Sequence, residues 1–176
     1  MDKQIVGQKV ILRQQIDGDA DFFVRWYNNK NIMEKCGFTQ KTTKEEIIAS
    51  FHKQSSDGDW YTVVDKETGR VIGETGLLRM FPKWATTDLT IIIPNPEDYG
   101  KGYGTETINL MFDLAFTKLN FNRIAIGVVG FNHSALSFYK KVGFKQEGIQ
   151  EQGYFYDGEF SDFIMMRLLK SEYLAK

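Results

Sequence analysis

The sharpest periodic signal lies in the second half of the chain, where Ile108, Met111, Phe112, Ala115, Phe116 and Leu119 recur at i, i+3, i+4, i+7, i+8 and i+11. That spacing predicts a helix beginning at Gly104 with one buried face. A strand is predicted over Arg123 to Val129, then a short helix whose Ala135, Phe138, Tyr139 and Val142 share a face and which Gly143 ends. In the first half, Gln8 to Arg13 reads as a strand, and Gly18 and Asp19 open a helical stretch through Phe22, Phe23, Trp26 and Tyr27. Thr43-Lys44-Glu45-Glu46 has the form of a capping box, so a second helix runs through Ile47, Ile48 and Phe51 until Ser55-Ser56-Asp57-Gly58 breaks it. Short connections then predict an antiparallel meander: Trp60 to Val64, Arg70 to Arg79 and Thr87 to Ile93. The tail reads as a hairpin, Gly153 to Tyr156 and Ser161 to Leu168, around the turn pair Asp157-Gly158.

Composition narrows what such a chain does. A length of 176 residues suits a single domain, 1–176, and 42% hydrophobic with 26% charged residues is the balance of a folded soluble protein. With 22 basic against 23 acidic residues there is no basic field to hold a polyanion, so nucleic acid is not an expected partner. The single cysteine, Cys36, leaves no intrachain disulfide, and the N-terminus has no apolar run of signal or spanning length, so a cytoplasmic protein without membrane attachment is expected. His52 and His133, with Cys36, are too few and wrongly spaced for a metal site.

Chemistry concentrates between Ile91 and Thr105, a strand followed by a glycine-rich loop and a helix start. Glycines at 100, 102 and 104 let backbone N–H groups approach a ligand, and the positive end of the following helix points at the same place, which suits a phosphate. Tight turns use the same residues, and neither a Walker-type ending nor a repeated parallel unit accompanies them. A second constellation follows one strand later, from Asn132-His133-Ser134-Ala135 through Tyr139 to Gly143-Phe144. An asparagine there also serves as an ordinary N-cap, and a tyrosine as a core aromatic.

The two motifs, in this order and spacing, resemble the GNAT acetyltransferase superfamily, and the order of elements is similar along nearly the whole chain. Asp88 to Thr105 and the ending Gly153 to Lys176 resemble the branch of spermidine and ribosomal-protein N-terminal acetyltransferases. Tyr99 departs from the glutamine or arginine common at that position, which bears on one side-chain contact and not on the glycine cradle. The resemblance implies an α/β (α+β) fold with a mixed, mostly antiparallel, splayed sheet flanked by helices. It also implies acetyl-CoA as cosubstrate, no metal, and a homodimer or larger assembly.

Carried over by residue, Ile91, Ile92 and Ile93 would pair with the pantetheine arm. Tyr99, Gly100, Lys101, Gly102, Tyr103, Gly104 and Thr105 would bind the pyrophosphate, and Asn132, Ser134, Ala135, Tyr139 and Lys141 would line the other side. Tyr139 would protonate the departing thiolate. A backbone N–H of Ile92 or Ile93 would meet the developing oxyanion. An alkylammonium, with a pKa of about 10.4, must lose a proton before it attacks, and the candidate bases are Asp88 and Glu74.

The expected reaction is transfer of an acetyl group to a primary amine, for which a polyamine such as spermidine and a protein N-terminus are alternatives. A catalytically silent acyl-CoA binder is the reading from another class. Acidic and aromatic residues of the tail, Glu151, Tyr154, Tyr156, Asp157 and Glu159, are candidates for the amine side, and Trp84 could border it. Asn28 to Lys44, with four lysines and one glutamate, lacks the acidic cluster a polycation would call for.

Overall fold

The structure is a computed structural model that describes residues 4–37, 41–53 and 57–175. Strands β1 (Gln4–Val6) and β2 (Val10–Arg13) lead into helices α1 (Ala20–Tyr27), α2 (Lys30–Cys36) and α3 (Lys44–His52). The meander β3 (Asp59–Asp65), β4 (Val71–Phe81) and β5 (Thr86–Ile92) follows, then α4 (Tyr103–Phe112), β6 (Arg123–Val129) and α5 (His133–Val142). The hairpin β7 (Lys145–Tyr156) and β8 (Glu159–Leu169) and the short α6 (Lys170–Leu174) complete it. One eight-stranded sheet runs in the order β1-β2-β3-β4-β5-β6-β8-β7, antiparallel throughout except for β5 beside β6.

Alternation within the strands divides two cores. Tyr61, Val63, Ile72 and Leu89 pack with Ile108, Met111, Phe112 and Phe116 of the α4 layer. The neighbouring Val71 and Ile92 join Phe23, Trp26, Met33 and Ile47 from α1, α2 and α3. Because both faces are covered, β3 shows five consecutive buried residues instead of a polar alternation.

The predicted strand and helix order holds between β2 and β8, to which the structure adds β1 and α6 at the two ends, with four further differences. The strand expected from Gln8 begins at Val10, since Gly7 N–H bonds to the Val10 carbonyl and closes a turn back to β1. Helix α2 lies where no helix was expected, although Asn29 caps its start and Gly37 ends it in the left-handed region. The α4 pattern carries on through a π-helical stretch, Asp113–Lys118. Its wider turn, closed by Leu119 N–H to the Leu114 carbonyl, rotates Leu119 off the buried face, and Leu119 is 44% exposed. Finally, β7 starts at Lys145, eight residues before the expected Gly153, as a mostly exposed edge strand with register shifts at Gln146/Gly148 and Gln150/Tyr154. Thr43 and Glu46 form the expected capping box on α3, while Ser55 and Ser56 of the expected break, and Lys176, lie outside the described residues.

Candidate active site

The site begins where two parallel strands part. Strand β5 pairs with β6 only over Thr86, Thr87 and Asp88, whereas its pairing with β4 continues to Ile92 opposite Glu74. Beyond Asp88, then, the β6 side of β5 presents backbone N–H and C=O groups that no strand satisfies, an arrangement suited to an extended ligand that adds like a strand. A cleft of about 710 Å³ opens there. Its walls are Ile91, Ile92 and Ile93 from the strand, Tyr99, Gly100, Gly102, Tyr103, Gly104 and Thr105 from the loop and α4, and Asn132, Ser134, Ala135, Tyr139 and Lys141 from α5.

The loop is shaped for an anion. Gly102 is the N-cap of α4 with φ +90 and no side-chain cap, so the first N–H groups of α4 are left for a ligand. A Cβ at Gly102 would force a backbone conformation that L side chains rarely adopt and would stand 3.2 Å from Lys9 Nζ. Lys101 differs from its predicted role: it is the one residue of the predicted cofactor set outside the cleft lining. Its carbonyl accepts from Lys9 Nζ at 2.7 Å, and its own Nζ stands 3.9 Å from Asp98.

Asn132 has its side chain committed. Its Oδ1 accepts from Ala135 N–H at 3.2 Å and from Ser134 Oγ at 3.0 Å, and its Nδ2 donates to the Lys35 carbonyl of α2 at 3.0 Å. It is thus an N-cap that also ties α2 to α5 across the cleft. Helix α2 contributes Ile32, Lys35 and Cys36 to the lining, residues not foreseen as part of the site. The N-cap asparagine and terminal glycine of α2 were the available signal for it.

Tyr139 is 7% exposed, between the rings of Phe138 and Phe144, and reaches the cleft. Burial pushes its phenol well above the ordinary value, so it keeps its proton at neutral pH.

A second cleft, of about 620 Å³, lies between α1, α3 and the start of the meander, lined by Gln15, Tyr27, Met33, Phe51, Trp60 and Glu74 among others. Glu74 is 2% exposed. Tyr27 Oη donates to its Oε1 at 2.9 Å and Gln15 Nε2 to its Oε2 at 3.2 Å. Burial outweighs these two bonds and raises the carboxyl from 4.5 to about 7. The backbones of β4 and β5 approach closely here, since a Cβ on the preceding Gly73 would stand 2.2 Å from the Ile92 carbonyl oxygen. Cys36 lies within electrostatic reach of both Glu74 and Tyr139, and burial raises its thiol to about 12. The two clefts therefore adjoin at the end of α2.

The other candidates for the amine side stand elsewhere. Asp88 is held by Arg79 at the paired end of β5 and lines neither cleft. The tail residues are likewise outside both linings: Tyr154 Oη donates to the Glu34 carbonyl at 3.2 Å and Asp157 pairs with Lys30 at 2.6 Å, so they pin α2 from outside. Trp84, 74% exposed, packs on Phe81. Among the described residues no group of three or more His, Cys, Asp or Glu could hold a metal, and no described helix is long and apolar enough to cross a membrane.

Comparison with known proteins agrees with this geometry. Residues 9–145 match the family model described as an acetyltransferase (GNAT) domain. The spermidine N(1)-acetyltransferase of Vibrio cholerae serotype O1 is 29% identical over 172 residues, covering 97% of this chain and 99% of that protein. The crystal structure of the spermidine N-acetyltransferase from Vibrio cholerae in complex with CoA and spermine superposes with a TM-score of 0.87 at 29% identity, over 96% of this chain and 99% of that one. A dodecameric structure of the Vibrio cholerae enzyme gives a TM-score of 0.80 at 28% identity, over 96% and 98% of the two chains. With this family model matched over most of its length, the chain belongs to the GNAT acetyltransferase family and is an acetyl-CoA-dependent N-acetyltransferase.

Proposed function

We propose that this enzyme acetylates a primary amine of a polyamine of the spermidine class, with Glu74 as proton acceptor and Tyr139 as proton donor. The observation that carries the reading is Glu74, a buried carboxylate on the amine side of the junction, raised to about 7 and opposite Ile92 in the sheet. A carboxyl tuned to neutrality is half in its basic form where the enzyme works, and is basic enough to accept a proton from an ammonium through an intervening water. The Vibrio relatives, named for spermidine and in one case holding spermine, support the choice of amine.

Acetyl-CoA supplies the acyl thioester. The cleft fits it on two counts: the unpaired side of β5 matches an extended amide-bearing arm, and the first N–H groups of α4 match a pyrophosphate. Ile91 to Ile93 orient the arm, Lys35 and Lys141 add positive charge to the lining, and Phe138 and Ala135 exclude water beside Tyr139. Tyr139 Oη gives its proton to the leaving sulfur. On the amine side, Trp60, Phe51 and Tyr27 offer aromatic faces to a cation, and Glu46 and Glu74 offer negative charge. The dodecameric relative supports self-association of this chain, and the lone cysteine is in keeping with a cytoplasmic setting.

Steady-state release of CoA thiol across spermidine, spermine, N-terminal peptides and aminoglycosides tests this reading. Turnover confined to polyamines is expected. Turnover of peptides in their place would transfer the chain to the N-terminal acetyltransferases.

A further inference from the structure

The phosphate-binding loop carries a buried negative charge where an anion is to bind. Asp98, two residues before Gly100, has a side chain with no solvent exposure. An uncompensated carboxylate there would repel a pyrophosphate and would be costly to bury. Arg70, from the turn between β3 and β4, meets it with both guanidinium nitrogens, Nη1 to Oδ2 at 3.1 Å and Nη2 to Oδ1. Lys101 Nζ adds charge at 3.9 Å, and Glu97 stands 3.7 Å from Arg70. Tyr103, in the first turn of α4, stands within electrostatic reach of Asp65 of the same turn.

That turn is itself rigid. Asp65 N–H bonds to the Arg70 carbonyl at 2.9 Å, Gly69 N–H to the Asp65 carbonyl at 2.8 Å, and Thr68 Oγ1 to Asp65 Oδ2 at 2.7 Å. The loop holds only its first part this way, by Asp98 N–H to the Asn95 carbonyl and Tyr99 N–H to the Pro96 carbonyl, each at 3.0 Å, and its 3-10 turn, Pro96–Asp98, leads into the glycine run. We propose that Arg70 of the β3–β4 turn is a positioning residue for acetyl-CoA, bracing the glycine loop through Asp98 and cancelling the Asp98 charge at the pyrophosphate site. Arg70 does not line the cofactor cleft, whereas Asp98 does, so Arg70 acts through Asp98. The inference rests on acetyl-CoA binding and is independent of which amine is acetylated.

The test is calorimetric titration of CoA into the wild type and variants, beside steady-state kinetics at saturating amine. Arg70→Met is expected to weaken CoA and raise the KM for acetyl-CoA by about tenfold, the range for loss of a charge-assisted fork, with kcat within twofold. Arg70→Lys, which keeps the charge and loses the fork, is expected to fall between the two. Adding Asp98→Asn to Arg70→Met removes the stranded charge, so the double variant is expected to bind CoA more tightly than Arg70→Met alone. If Arg70→Met does not fold, Arg70→Lys carries the test with an expected loss of about threefold. Unchanged CoA affinity in folded variants, or a fall in kcat with KM intact, overturns the proposal.

Discussion

The two clefts are built on opposite plans. The cleft proposed for acetyl-CoA is made largely of backbone: the unpaired side of β5, the glycine loop and the first turn of α4, in which the chain contributes mainly its path. The cleft proposed for the amine is made of side chains brought from distant points, Gln15, Tyr27, Trp60 and Glu74, around one buried carboxylate. On the proposed assignment, a common cosubstrate is gripped by geometry that tolerates side-chain change, while the acceptor is read by individual side chains. The two plans predict different failures.

The largest effect belongs to the junction. Tyr139→Phe keeps the ring between Phe138 and Phe144 but removes the proton, and should lower kcat by about 10²- to 10⁴-fold with the KM for acetyl-CoA little changed. Next is Glu74→Gln, expected to lower kcat/KM for the amine by roughly 10²-fold. Its stability effect runs the other way. Glu74 has a folded value of about 7 against an ordinary 4.5, so its contribution to stability is fully present below about pH 4.5 and lost as pH rises through 7. At pH 8 the amide is spared that cost, so Glu74→Gln should melt at the same temperature as the wild type or a few degrees higher, on the order of 1–3 kcal/mol. A lower melting temperature at pH 8 would count against the burial of a charge at this site.

A smaller effect is expected on the backbone side. Gly102→Ala strains the left-handed turn and crowds Lys9, which should raise the KM for acetyl-CoA about five- to tenfold and leave the KM for amine alone. The smallest is Asp88→Asn, expected to change kcat/KM by no more than about twofold, since Asp88 answers to an exposed Arg79 away from both clefts.

The contrast also explains what could be read from the chain beforehand. The loop from Tyr99 to Thr105 and the helix from Asn132 to Gly143 are continuous in sequence, and their glycines and cap announce a backbone conformation directly. The α3 capping box and the Asp157-Gly158 turn were legible for the same reason. Glu74 could be nominated from its strand, but nothing local distinguished it from Asp88. The distinction arises from Tyr27 and Gln15, 47 and 59 residues away. Helix α2 escaped notice because its apolar face is only Ile32, Met33 and Cys36, too short for a period to show, although Asn29 and Gly37 bracket it. The acidic, aromatic tail drew attention by composition, yet Tyr154 and Asp157 spend their polar groups on holding α2.

The most direct test of the division of labour is the pH dependence of kcat/KM for spermidine in the wild type and in Glu74→Gln, each with saturating acetyl-CoA. Glu74 is surrounded by Tyr27 and Cys36, both raised far above neutrality, and by the non-titrating Gln15, so it is the group in its own surroundings placed to titrate near pH 7. The wild type should lose activity with unit slope as pH falls through about 7, and Glu74→Gln should show low activity without that limb. An unchanged limb in Glu74→Gln would contradict the assignment and move proton removal to another group.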